Sequence, residues 1–155
     1  EMLRSLVGSE MCIRDSIITA GLVSNFTVHE NNPNPEEDYY YNSSLAHCVY
    51  YGASLFPQCE RQHLHGEIVS FGVLCLLTYD GQFEERNRIF EFNHSIGLPC
   101  TLGEIALTPD DVPAIAHKAA SVVEWKYVPG NPTEDAFINA ILATDKAGKE
   151  FLADK

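Results

Sequence analysis

From Ile17 onward the apolar residues recur every three or four positions, and nowhere do they alternate with polar ones for long enough to make a strand. The pattern predicts an all-α fold. Ile18, Leu22 and Phe26 form one stripe at four-residue spacing, followed by a polar run, His29 to Asp38, rich in turn formers. A helix is expected from Ser43 or Ser44, either of which can cap it, with Leu45, Cys48, Val49, Gly52 and Phe56 on one side and a break at Pro57. After a polar loop, the segment from about Gly66 to Tyr79 is apolar nearly all round. It predicts a helix enclosed by others, the most buried of a bundle of about six or seven. Gln82 to Ile96 is expected to turn Phe83, Ile89, Phe90, Phe92 and Ile96 inward and to stop at Gly97. Thr101 and Glu104 have capping-box spacing for a short turn, and Thr108-Pro109-Asp110-Asp111 caps a helix with Val112, Ile115, Ala116, Ala119, Val122 and Val123 on one face. Thr133 caps a last helix that buries Phe137, Ile138, Ile141 and Leu142.

With 155 residues and 45% apolar content, the chain is long enough for one domain with its own core. No two of its ten glycines lie closer than six positions apart, so there is no G-x-G-x-x-G turn and no Walker loop. A net charge of −12 opposes binding to nucleic acid or to an anionic membrane, both of which need a basic surface. The longest apolar stretch, Ile68 to Leu77, is about half of what a bilayer-spanning helix requires. Five cysteines without a C-x-x-C suit reduced thiols in a cytoplasmic protein better than a disulfide framework. In that setting the sequons at Asn25, Asn42 and Asn93 read as coincidence.

Candidate chemistry centres on His47, in an apolar helix-forming run, and His65, at the start of the most hydrophobic segment. Neutral imidazole is a favoured ligand for Zn²⁺ and Fe²⁺, so the two form a candidate split metal site. Taken singly, His47 reads equally as a satisfied core histidine and His65 as a loop residue beside Gly66. Gly66 leaves room for a substrate or cofactor to approach. Glu67 either orients a ligand or simply favours the positive end of a helix. His63 faces solvent or substrate, since alternate residues leaving a loop rarely converge on one ion. His29, His94 and His117 have no acidic partner in register, and Tyr50 and Tyr51 either line a pocket or belong to the core.

The pattern Ala46-His47 followed by His65-Gly66-Glu67, Val69 and Gly72 resembles the C-terminal helical domain of the iron-containing alcohol dehydrogenase superfamily. The 18-residue spacing of the two histidines looks more like the glycerol dehydrogenase branch than its neighbours. Three further segments are similar in the same order: Ile17 to Asn25, the turn Gly97-Leu98-Pro99-Cys100-Thr101-Leu102, and Asn131-Pro132. Together they cover residues 17 to about 150. The resemblance implies that residues 17–155 are a metal-binding domain of the dehydroquinate synthase-like fold, with His47 and His65 as ligands to Zn²⁺ or Fe²⁺. A third ligand, an Asp, would come from upstream of Ile17, and NAD(P) would bind an N-terminal domain that is absent here. The intact protein would interconvert a small alcohol, a polyol or hydroxy acid, and its carbonyl form, as a homo-oligomer, while the fragment alone would be inactive. Two alternatives stand beside it: a non-catalytic helical metal-binding or interaction module, and a dehydroquinate synthase-like cyclase. The latter needs a Glu ligand and several basic residues near the histidines.

The first sixteen residues match no part of the family. Leu6 to Asp15 resembles a translated sequencing adapter, so residues 1–16 are expected to be non-native. An ordinary N-terminal helix is the alternative, and Arg4 and Arg14 around apolar residues imitate a signal peptide.

Overall fold

A computed structural model of the protein describes residues 45–128 and 130–155, all within one compact unit, Ser43–Lys155. The stripe at Ile18, the polar run after it, both candidate capping serines and residues 1–16 lie outside the described residues. Among the described residues every regular element is helical, as the periodicity predicts. The helices are α1 (Leu45–Ala53), α2 (Pro57–Gln62), α3 (His65–Tyr79), α4 (Phe83–Ser95), α5 (Val112–Ala119) and α6 (Glu134–Ala153), with short 3₁₀ turns at Gly103–Ile105, Pro109–Asp111 and Val123–Tyr127. None of them is long and apolar enough to cross a membrane. The architecture is an all-α helical bundle.

α3 is the centre. It packs against α1, α4 and α6, while α5 closes a ring by touching both α1 and α6. Its all-round apolar character follows from three neighbours, and Ile68, Phe71, Leu74 and Cys75 are at most 1% exposed. Two buried polar links tie α6 into this core. The Thr78 and Thr144 hydroxyls are 2.8 Å apart between α3 and α6, and Asp145 accepts from the Leu102 backbone N–H at 2.9 Å and from Lys149 Nζ at 2.6 Å. Buried polar groups satisfied in this way fix one packing arrangement.

Local signals explain the boundaries. The α4 helix ends in a Schellman motif: Leu98 N–H donates to Asn93 C=O and Gly97 N–H to His94 C=O, with Gly97 at φ +74°. Thr133 Oγ1 accepts from Ala136 N–H at the start of α6, preceded by Asn131 at φ +56° and Pro132. Asp111 Oδ2 accepts from the Thr108 N–H at 2.8 Å, and Glu104 Oε2 from the Cys100 N–H at 2.9 Å, one residue beyond the position expected of a capping box at Thr101. The Asn93 sequon is buried in α4, its amide donating to the Pro99 carbonyl, so no glycan could attach to the folded chain.

Four expectations are corrected. Phe83, Phe92 and Ile96 are more than half exposed rather than inward, because α4 lies on the outside of the ring with α3 as its main neighbour and Phe90 alone fully buried. α5 ends at Ala119 instead of running through Val123, since Val122 is extended and Val123 opens a 3₁₀ turn. The polar segment before α3 is the short helix α2, started by Pro57 at its first turn, not a loop. His117 does have an acidic partner, Glu134 Oε1 at 3.4 Å, which the fold brings from 17 residues away.

α1 and α3 approach closely at Gly72, where an added Cβ would overlap the Ala46 carbonyl. We expect Gly72→Ala to cost about 1–3 kcal/mol by forcing the two helices apart. Gly66→Ala, whose Cβ would meet nothing within 4 Å, should be neutral or stabilise by up to about 1 kcal/mol. Urea denaturation of the two variants checks both signs, and a Gly72→Ala variant as stable as the parent would show that the contact is dispensable.

Candidate metal centre

α1 turns two faces in opposite directions. Leu45, Cys48, Val49 and Gly52 are buried in the core, while His47, Tyr50 and Tyr51 share the half-buried flank at i, i+3 and i+4 spacing. His65 is the first residue of α3 and is exposed, so its imidazole reaches that flank from the neighbouring helix. The His47 and His65 ring centres lie 5.5 Å apart, tilted by 46°. Tyr50 stands edge-on to His65 at 4.2 Å, and Tyr51 edge-on to Tyr50 at 5.6 Å.

His47 Nδ1 is buried and has no hydrogen-bond partner. An orphaned buried nitrogen is costly unless something else satisfies it. Burial, followed by the charge of His65, pushes the His47 pKa below its ordinary 6.5, while the charge of Glu124 works the other way. The imidazole is therefore neutral at pH 7, with a lone pair to donate. Two imidazoles about 2.1 Å from one tetrahedral ion have ring centres roughly 5 to 5.5 Å apart, so the pair fits a shared divalent cation. Among the described residues no group of three or more His, Cys, Asp or Glu side chains could hold a metal, so the pair is an incomplete set.

Glu124 was not singled out in the sequence. It is 7% exposed, on the 3₁₀ turn packed against α1, and its charge is felt by both His47 and Cys48. A carboxylate inside the apolar run Val122-Val123-Glu124-Trp125 is the signal that could have found it. The described cysteines are buried free thiols outside this chemistry, Cys48 being pushed to about 12 by burial.

The remaining candidates fall elsewhere. His63 is half-buried with Nδ1 3.3 Å from Glu67 Oε2, and both residues line a separate cavity of about 340 Å³ with Gln62, Gly97, Pro99 and Glu104. Neither His47 nor His65 lines it. Glu67 Oε2 also accepts from the Leu64 backbone N–H at 2.9 Å, so its carboxylate folds back on the helix start. His94 lies edge-on to Phe151, His117 is on the surface, and His29 is outside the described residues.

No family model matches the chain. It is 33% identical over 117 residues to a glycerol dehydrogenase of Escherichia coli, covering 72% of this chain and 31% of that protein. It is 32% identical over 111 residues to a glycolaldehyde reductase of Halobacterium salinarum, with 68% of this chain and 30% of that protein covered. Among solved structures, a probable glycerol dehydrogenase of Sinorhizobium meliloti superposes with a TM-score of 0.64 at 28% identity, over 69% of this chain and 31% of that one. The chain thus spans just under a third of the length of these relatives.

The depressed His47 pKa is directly measurable. Because the folded chain binds fewer protons here than the unfolded one, this contribution to stability is full above 6.5 and is lost as pH falls through the folded pKa. In the metal-free chain, the His47 ring proton followed by NMR should titrate with a midpoint below 6.5. His65→Ala should raise the midpoint without restoring it fully, since burial is the larger cause, and Glu124→Gln should lower it further. A midpoint at or above 6.5 in the parent chain would contradict the geometry.

Proposed function

The chain is homologous to the glycerol dehydrogenase-like members of the iron-containing alcohol dehydrogenase family, matching their C-terminal helical part, and from that premise we propose that residues 17–155 are the metal-holding portion of an NAD(P)-linked oxidoreductase acting on a small alcohol or its carbonyl form. The observation that carries the proposal is the convergence of His47 and His65 at 5.5 Å, with a buried Nδ1 left unpartnered, inside the stretch that matches those enzymes.

His47 and His65 would hold Zn²⁺ or Fe²⁺. When bound, the ion supplies Lewis-acid polarisation of the substrate oxygen, which favours hydride transfer to or from a nicotinamide. The chain's own residues do the rest. His47 presents a neutral nitrogen from the buried side, so no proton has to leave before it ligates. His65 presents its ring from the open side, with the Tyr50 edge limiting its rotation. Gly66 keeps the approach beside His65 clear, as nothing stands within 4 Å of where its Cβ would be. The buried Glu124 carboxylate lends negative potential to the His47 side, which favours a cation there. Two imidazoles are fewer protein ligands than catalytic sites of this kind use, so a carboxylate from the rest of the longer protein completes the set. The dinucleotide also needs a glycine-rich phosphate turn that this sequence lacks.

The expected outcome is a division of labour. The 155-residue chain supplied with Zn²⁺ or Fe²⁺ should not oxidise glycerol, small diols or 2-hydroxy acids with NAD⁺ or NADP⁺, whereas the protein from the uncut gene should. His65→Ala in the latter should lower kcat/KM by more than about 100-fold, beyond what loss of a supporting contact to a ligand usually costs. Steady-state assays of coenzyme absorbance decide it: turnover by the short chain, or an unimpaired full-length His65→Ala variant, refutes the proposal.

A further inference from the structure

His65 is an awkward place for a ligand. It is the first residue of α3, exposed, and its side-chain contacts are the rings of Tyr50 and His47. First residues of helices fray, and the direction of the His65 Cα–Cβ bond is set by the backbone at Leu64, at φ −77° and ψ 153°. Leu64 has no side-chain oxygen, so the helix lacks the Ser, Thr, Asp or Asn cap that usually fixes such a start. What holds Leu64 is the reciprocal half of a capping box. Glu67 Oε2 accepts from the Leu64 N–H at 2.9 Å, and the same oxygen faces His63 Nδ1 at 3.3 Å. Residues 63, 64 and 67 therefore form a clasp around residue 65.

We propose that Glu67 is a positioning residue for His65: its carboxylate fixes the helix start from which the imidazole reaches His47, and so preorganises the pair for a divalent cation. The inference rests on the metal-holding role proposed for the two histidines. Glu67 touches neither ring; it acts through the backbone. Releasing the clasp leaves His65 in its ligating attitude for only part of the time, and affinity falls by that fraction. Losing a supporting contact of this kind typically costs 10–100-fold in metal affinity, and a fall of about that size is expected here.

The test titrates the full chain with Co²⁺ alone and follows the visible d–d absorption. His47→Ala and His65→Ala should abolish the spectrum; if either keeps it, the role of the pair fails and the inference falls with it. Given that loss, Glu67→Ala should bind Co²⁺ about 10–100-fold more weakly. Glu67→Gln, which can still accept from Leu64 N–H, should stay within about threefold of the parent chain. Leu64→Ser in the Glu67→Ala background gives the helix its own cap and should recover most of the loss. Asp111→Ala removes the equivalent clasp at Thr108, away from the histidines, and should leave Co²⁺ affinity unchanged. Parent-like affinity in Glu67→Ala overturns the proposal while the histidine pair stands. So does a Glu67→Gln as weak as Glu67→Ala, which would make charge the cause, or an Asp111→Ala equally weak, which would make it general stability.

Discussion

Backbone contact between α1 and α3 at Ala46 and Gly72 sets the spacing on which everything near the two histidines depends. Gly72 lets α3 approach the Ala46 carbonyl more closely than any side chain would allow, and Ala46 is the residue next to His47. The approach brings the His47 ring of α1 within 5.5 Å of the His65 ring at the start of α3. A small widening of that gap would leave two separate imidazoles. Close packing thus sets the distance between the two rings, because interiors this dense transmit displacement instead of absorbing it.

The two histidines are held in unlike ways. His47 lies in the first turn of α1 with Nδ1 buried and unpartnered, so burial selects the neutral ring and the geometry leaves a lone pair unused. His65 has little tertiary enclosure and depends on Tyr50 for its ring and on the Glu67 clasp for its backbone. One histidine is thus held by burial and the other by local hydrogen bonding, and the proposed metal-holding role uses both, with the exposed His65 side facing outward. Glu124, buried against α1, tilts the local potential towards a cation.

Away from the site, the bundle is braced by polar links as well as apolar packing. Thr78 and Thr144 join α3 to α6, and Asp145 takes the Leu102 backbone N–H. The turn after α4 is built by Gly97 in a left-handed conformation and by the Asn93 amide on the Pro99 carbonyl. In the segments that resemble the family, two glycines act for different physical reasons. Gly97 supplies a positive φ, and Gly72 supplies the absence of a Cβ.

Periodicity, caps and breakers were enough to specify the helical class, the central place of α3, the stop at Gly97 and the caps at Thr108 and Thr133, because each is a local property of a few consecutive residues. The pairing of His47 with His65 was legible through the motif and its spacing. What the sequence did not carry is which face of a helix has a neighbour. Phe83, Phe92 and Ile96 look like a core stripe, yet α4 lies outside the ring and leaves them in solvent. Nor did it separate the two roles open to Glu67, or find Glu124 beside His47 and Glu134 beside His117. Those are contacts between residues distant in the chain, or choices between two hydrogen-bond partners. Only the packing of one helix against another decides them.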